Sequence, residues 1–133
     1  MYAHPEMMRE LGENASRELY LSWDESVARA MKRYDEVLRR FPKAKIVLTL
    51  GKDGAVYADA EQKHFQPIFK VQAVDTTAAG DTFTGYFLAG LCEGLPIPQV
   101  LKMSAKASSI AVSRPGAVPS IPWRAEVEQA LAE

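Results

Sequence analysis

Three observations predict an α/β domain. A short β-branched and apolar run, Ile46-Val47-Leu48-Thr49-Leu50, is followed by a Gly51-Lys52-Asp53-Gly54 turn and a second extended run from Ala55 to Ala58. Segments on both sides of this pair carry apolar residues at helical spacing. The 133 residues suffice for one core, and 47% hydrophobic with 25% charged residues is ordinary for a globular chain. One α/β domain spanning residues 1–133 is therefore expected.

In chain order, Pro5 to Leu11 reads as a short helix with an apolar edge of Met7, Met8 and Leu11, punctuated by Gly12-Glu13-Asn14. Ser22-Trp23-Asp24-Glu25 has capping-box spacing, in which the Ser22 hydroxyl and the Glu25 carboxylate satisfy free backbone donors at a helix start. A helix to about Arg40 follows, with Val27, Met31, Tyr34, Leu38 and Phe41 as its stripe, and Pro42 stops it. The run at Ile46–Leu50 suits a strand buried on both faces. Beyond Ala58, a turn at Ala60–Lys63 precedes two extended segments, His64 to Ile68 and Phe69 to Val74, broken near Pro67. A helix from about Gly80 to Cys92 should bury Phe83, Phe87 and Leu91, and Gly94 ends it. Pro98 suits a helix first turn, from which Val100, Met103, Ala107 and Ile110 continue as a buried stripe to Val112. Arg114 to Ser120 is a loop, and Pro122 to Leu131 a closing helix.

Composition excludes several function classes. A formal net charge of -1 gives no electrostatic reason to expect nucleic acid or an anionic membrane as partner. The single cysteine, Cys92, forbids an internal disulfide and is expected to be a buried, inert thiol. No apolar run approaches a bilayer span, and Met1 to Glu13 lacks the apolar centre of a secretory signal, so a cytoplasmic setting is expected. There is no Gly-x-Gly-x-x-Gly after a strand and no Gly-x-Ser-x-Gly elbow. Gly80 and Gly85 have P-loop spacing, but Tyr86-Phe87 replaces the Lys-Ser/Thr pair. His4, His64 and Cys92 are too scattered for a zinc site, and His64 reads as a surface or strand-edge residue.

What carries chemistry is Val74-Asp75-Thr76-Thr77-Ala78-Ala79-Gly80-Asp81-Thr82-Phe83-Thr84-Gly85. Small residues let consecutive N–H groups point into one space at a helix N-terminus, where about half a positive charge favours an anion. Asp81 puts a proton acceptor beside that space. An anion cradle next to a base suits phosphoryl transfer to an alcohol.

This segment resembles the second signature of the ribokinase-like, phosphofructokinase-B type carbohydrate kinases. Two further blocks are similar to that family in the expected order, Thr49-Leu50-Gly51-Lys52-Asp53-Gly54 and the late loop from Ala111 to Pro122. The resemblance covers about Ile46 to the C-terminus. It implies a Rossmann-like three-layer α/β/α sandwich, with this chain as the C-terminal, ATP-binding part containing a mixed sheet. It also implies transfer of phosphate from ATP, with Mg2+, to a sugar hydroxyl. The Pro119-Ser120-Ile121-Pro122-Trp123 ending points to ribose as that sugar.

By the same resemblance, Asp81 is the catalytic base and the sugar contact. The backbone N–H groups of Ala78, Ala79, Gly80 and Asp81 form the anion hole. Many relatives have Gly where Ala78 stands, but a backbone role tolerates Ala. Thr49, Gly51, Gly54 and Gly80 lie along ATP. Asp75 and Thr77, with Ala111, Arg114, Gly116 and Ser120, form a monovalent-cation site suited to K+, through oxygen ligands from two loops. Without the resemblance, the same residues also read as a tight strand-to-helix turn, a hairpin turn and loop-packing polar groups.

Two departures accompany the match. No Asn-x-x-Glu magnesium element is assigned, Asn14 to Glu18 and Pro5-Glu6 being only loose candidates, and Ala105 stands near a position where relatives often carry Asn or His. The family's enzymes are roughly twice this length, so the sugar-binding half and lid are expected to lie outside this chain, and a homodimer is an expectation for the full-length protein. Two other readings stay open: a non-catalytic nucleotide- or partner-binding fragment, and a same-fold kinase for a nucleoside, fructose or a vitamin precursor.

Overall fold

The computed structural model describes residues 4–18 and 23–133, which fall into two compact units, one ending at Phe41 and the other running Pro42–Glu133. The capping box turns on Ser22, which lies outside the described residues.

The first unit contains α1 (Pro5–Glu18) and α2 (Trp23–Arg40). The expected break at Gly12-Glu13-Asn14 does not occur. One interior glycine costs only about 1 kcal/mol relative to alanine, too little to stop a helix by itself. An Arg9–Glu13 pair at 3.7 Å bridges the position one turn apart. On α2, Val27, Met31, Tyr34 and Leu38 are half-buried at helical spacing, while Phe41 is exposed. Arg39 and Arg40 in the last turn complement the helix dipole.

The second unit holds a three-stranded sheet of β1 (Ile46–Thr49), β2 (Ala55–Ala58) and β3 (Lys63–Gln66), in the order β1-β2-β3. Both pairings are antiparallel, with Val47 opposite Tyr57 and Tyr57 opposite His64. Among the described residues the sheet is thus antiparallel, within the expected α/β class. The strand connections, the 3-10 turn Gly51–Asp53 and the turn after Ala58, are far too short for the crossover that parallel pairing needs. β1 is also half-buried rather than enclosed, because β2 is its one ladder partner among the described residues. His64 is half-buried on β3, with Gln62 Oε1 at 2.7 Å from its Nε2.

Three helices complete the unit: α3 (Ala79–Cys92), α4 (Ile97–Val112) and α5 (Arg124–Ala132). α4 is the hub, packing against α3, α5, β2 and β3. α3 and α4 approach closely at Gly90, where a Cβ would come within 2.9 Å of Val100 Cγ2. The core joins Ala55 and Tyr57 of the sheet to Phe83, Phe87, Val100 and Leu101. Its ring contacts are Tyr57–Phe87 at 6.0 Å and a stacked Phe83–Phe87 pair at 6.4 Å.

Cys92 is exposed, against expectation. The buried side of α3 runs through Thr82, Phe83, Phe87 and Gly90, and 3.6 residues per turn put Cys92 opposite Phe83. Phe69–Val74 forms no strand. Its backbone tie comes at its end, where the N–H groups of Val74 and Asp75 share Val112 O at 2.7 and 3.2 Å. α5 begins at Arg124 rather than Pro122, since Pro122 O instead accepts from the Tyr86 hydroxyl at 2.8 Å. Arg124 grips Glu93 through two bonds of 3.0 Å, tying α5 to the end of α3. Among the described residues no helix is long and apolar enough to cross a membrane.

Candidate functional site

Local backbone geometry shapes the start of α3. Ala78 adopts φ 63° and ψ 3°, the left-handed region, which costs a residue bearing a Cβ about 1–2 kcal/mol. That turn swings the chain abruptly into the helix. Ala78 has no side chain able to cap the helix, so its first donors depend on what lies in front. Ala79 N–H reaches Thr76 O at 3.3 Å, a long bond, and Thr82 N–H takes Ala78 O at 2.8 Å. The N–H groups of Ala78, Gly80 and Asp81 have no hydrogen-bond partner among the described residues. Asp81 is exposed in this first turn. Ser108 of α4 donates to Ala79 O at 3.0 Å and pins the helix start in place.

A cavity of about 620 Å³ opens beside this turn. Thr49, Gly51 and Gly54 line one side and Ala79 and Gly80 another. Four residues expected along a nucleotide, Thr49, Gly51, Gly54 and Gly80, thus surround one space. Their glycines serve different ends. At Gly80 a Cβ would meet nothing within 4 Å, so the missing side chain leaves open room at the helix start. At Gly54, with φ +108°, a Cβ would sit 2.3 Å from Gln66 O, so that glycine is required by packing against β3. Ala105, although in the core, also borders the cavity.

The expected cation residues occupy two loops laced together. Asp75 Oδ1 accepts from Thr77 N–H at 2.8 Å and Oδ2 from Gly116 N–H at 3.0 Å. Hydrogen bonds from the Thr77 hydroxyl, then the Thr77 and Gly116 N–H groups, hold the Asp75 carboxyl below the usual carboxylate range. Ala111 O accepts from Arg114 N–H at 3.1 Å. The Arg114 guanidinium is turned to an ion pair with Glu126 on α5. Ser120 is fully buried and donates its hydroxyl to Ala117 O at 2.7 Å. Asp75, Thr77 and Gly116 are therefore in direct contact, whereas the Arg114 side chain and the Ser120 hydroxyl proton are engaged elsewhere. Among the described residues no group of three or more His, Cys, Asp or Glu side chains could hold a metal ion. A cation here would rest mainly on carbonyl and hydroxyl oxygens.

Sequence reasoning missed the wall formed by Ile68, Phe69, Lys70, Val71 and Ala73, and the α4 face of Ser108, Ser109 and Val112. The α4 positions fall with Ala105 at helical spacing, on the face opposite the Val100, Met103, Ala107 and Ile110 stripe that the sequence marked as buried, and their small side chains carry no chemical signature. The irregular 68–73 stretch has no periodicity that could have marked it.

The sequence matches the profile of the pfkB family carbohydrate kinases over residues 8–124. It is 41% identical over 96 residues to the ribokinase of Bacillus subtilis, covering 72% of this chain and 32% of that protein. The crystal structure of ribokinase from Thermotoga maritima superposes with a TM-score of 0.68 at 38% identity, covering 76% of this chain and 34% of the other. The structure of Arabidopsis thaliana ribokinase complexed with ribose and ATP does so with a TM-score of 0.65 at 36% identity, covering 67% and 29%. The chain spans about a third or less of the length of the curated relatives it matches. Its fold is that of the ribokinase-like α/β kinases in part, and the chain belongs to the pfkB family of carbohydrate kinases.

Proposed function

We propose that residues 1–133 supply the ATP-binding and catalytic-base portion of a cytoplasmic sugar kinase whose acceptor is ribose. One observation carries this reading: unpartnered N–H groups and an exposed Asp81 share the first turn of α3, at the edge of a cavity large enough for a nucleotide. The Arabidopsis relative bound to ribose and ATP supports the choice of ligands, and a homodimer of the full-length protein belongs to the same proposal.

In this mechanism the Asp81 carboxylate accepts the proton of the sugar hydroxyl as that oxygen bonds to the γ-phosphorus. The bond from the γ-phosphorus to the bridging oxygen breaks, and ADP leaves. The N–H groups of Ala78, Ala79, Gly80 and Asp81 face the negative charge on the transferring group, aided by the α3 dipole. Asp75 and Thr77, with oxygens of Ala111, Arg114, Gly116 and Ser120, would hold K+, which would supply positive charge in support of the anion hole. Mg2+ would neutralise the phosphates, and no described residue is assigned to it.

In the complete enzyme, Asp81→Asn should lower transfer by about 10²–10⁴-fold, the usual worth of a positioned base, with ATP affinity little changed. Turnover near wild type would remove Asp81 from this role. A second reading is a nucleotide- or partner-binding module without turnover. Calorimetry on this chain with ATP and with ribose, followed by assays of the complete protein against ribose, fructose, nucleosides and vitamin precursors, separates these readings.

A further inference from the structure

The cavity's least supported wall is the stretch Pro67 to Ala73. It lacks regular structure, and among the described residues it makes no backbone-to-backbone hydrogen bond until Val74, Pro67 O accepting only from the Gln66 side chain at 2.9 Å. Ile68 and Val71 are exposed at 41% and 45%, so they give it little anchorage. Phe69 is different: it lines the cavity and packs on the core beside Phe83 and Ala105. Directly over its ring, 5.0 Å from the centroid, sits the ammonium group of Lys106. Lys106 lies on α4 between Ala105 and Ser108, which border the same cavity.

A cation over an aromatic face is attracted by the ring's negative quadrupole, and the attraction fixes the plane of the ring. We infer that Lys106 is a positioning residue for the nucleotide cavity, acting through Phe69 to hold the Pro67–Ala73 wall in its binding-competent place. The inference rests on the nucleotide reading of that cavity. Lys106 does not line the cavity, so its contribution passes through the ring rather than through contact with phosphate. A wall held in place before binding spares the ligand the cost of ordering it, and the gain appears in affinity rather than in the chemical step.

The test uses Lys106→Met, which keeps the apolar stem without the charge, Lys106→Arg, which keeps the cation, and Phe69→Leu. In the complete enzyme, Lys106→Met should raise the KM for ATP about threefold to tenfold with kcat within twofold, and Lys106→Arg should restore it. In the Phe69→Leu background, Lys106→Met should add nothing. An equal loss in both backgrounds would mean that the lysine acts on the nucleotide directly and would overturn the inference. Hydrogen exchange without nucleotide separates this idea from the nucleotide reading itself. Amides of residues 68–73 should exchange faster in Lys106→Met and return to wild-type rates in Lys106→Arg, whether or not ATP binds. Unchanged exchange would overturn the pinning role, whereas faster exchange in a protein that ignores ATP would leave the pin standing and remove its ligand.

Discussion

Gly116 donates its backbone N–H to Asp75 Oδ2 at 3.0 Å, joining two loops 41 positions apart in the chain. With Val74 and Asp75 also bonded to Val112 O, the approach to α3 is fastened to the exit of α4. The geometry of the α3 N-terminus thus depends on a carboxylate that does not itself line the cavity.

Asp75→Ala should lower the melting temperature at neutral pH. Because the folded carboxyl is held below its ordinary value of about 3.9, its stabilisation is present above that pH and is lost as pH falls through the folded pKa. Thermal melts of wild type and variant from pH 7 downward should therefore converge at acid pH. A gap independent of pH would contradict the carboxylate account.

A second carboxylate gives a separate acid window. The buried Tyr57 hydroxyl donates to Asp59 Oδ2 at 2.5 Å, and this bond, with the N–H groups of Glu61 and Gln62 on Oδ1, lowers the Asp59 pKa to about 2. The stability it adds is full above about pH 4 and fades between there and pH 2. Tyr57→Phe should cost about 1–2 kcal/mol at pH 7 and shrink that acid-dependent part, as urea titrations across pH would report.

Two glycines at the cavity should respond in opposite ways. Gly54→Ala forces a Cβ against Gln66 O at 2.3 Å and a strained φ of +108°, so a loss of about 2–4 kcal/mol is expected in denaturant melts. Gly80→Ala meets open space and improves helix propensity, so stability should hold or rise by up to about 1 kcal/mol. Gly80 nevertheless lines the cavity proposed for the nucleotide, and on that proposal calorimetry should show ATP binding weakened about tenfold.

Ala78 carries the left-handed turn with a Cβ in place. Ala78→Gly relieves that strain but frees the unfolded chain, for a net gain of up to about 1 kcal/mol. Ala78→Val should lose more than about 1 kcal/mol, because β-branching is worse still at positive φ. Melting curves of the pair decide the matter, and a gain in stability for valine would refute the strain argument.

Local pattern determined a good deal about this protein. Residues Ala55–Ala58 form the expected strand, and the helices around Phe83–Phe87 and Val100–Ala107 lie where spacing and proline placed them, because period and backbone preference act within a few residues. The Asp75–Asp81 segment and its two companion blocks were likewise legible as motifs. Tertiary packing alone decided the irregular path of Phe69–Val74, the meeting of Asp75 with Gly116 and the ring of Phe69 under Lys106. Each of these depends on which distant surface arrives beside a residue, and contacts across tens of positions leave no periodic trace in the chain that makes them.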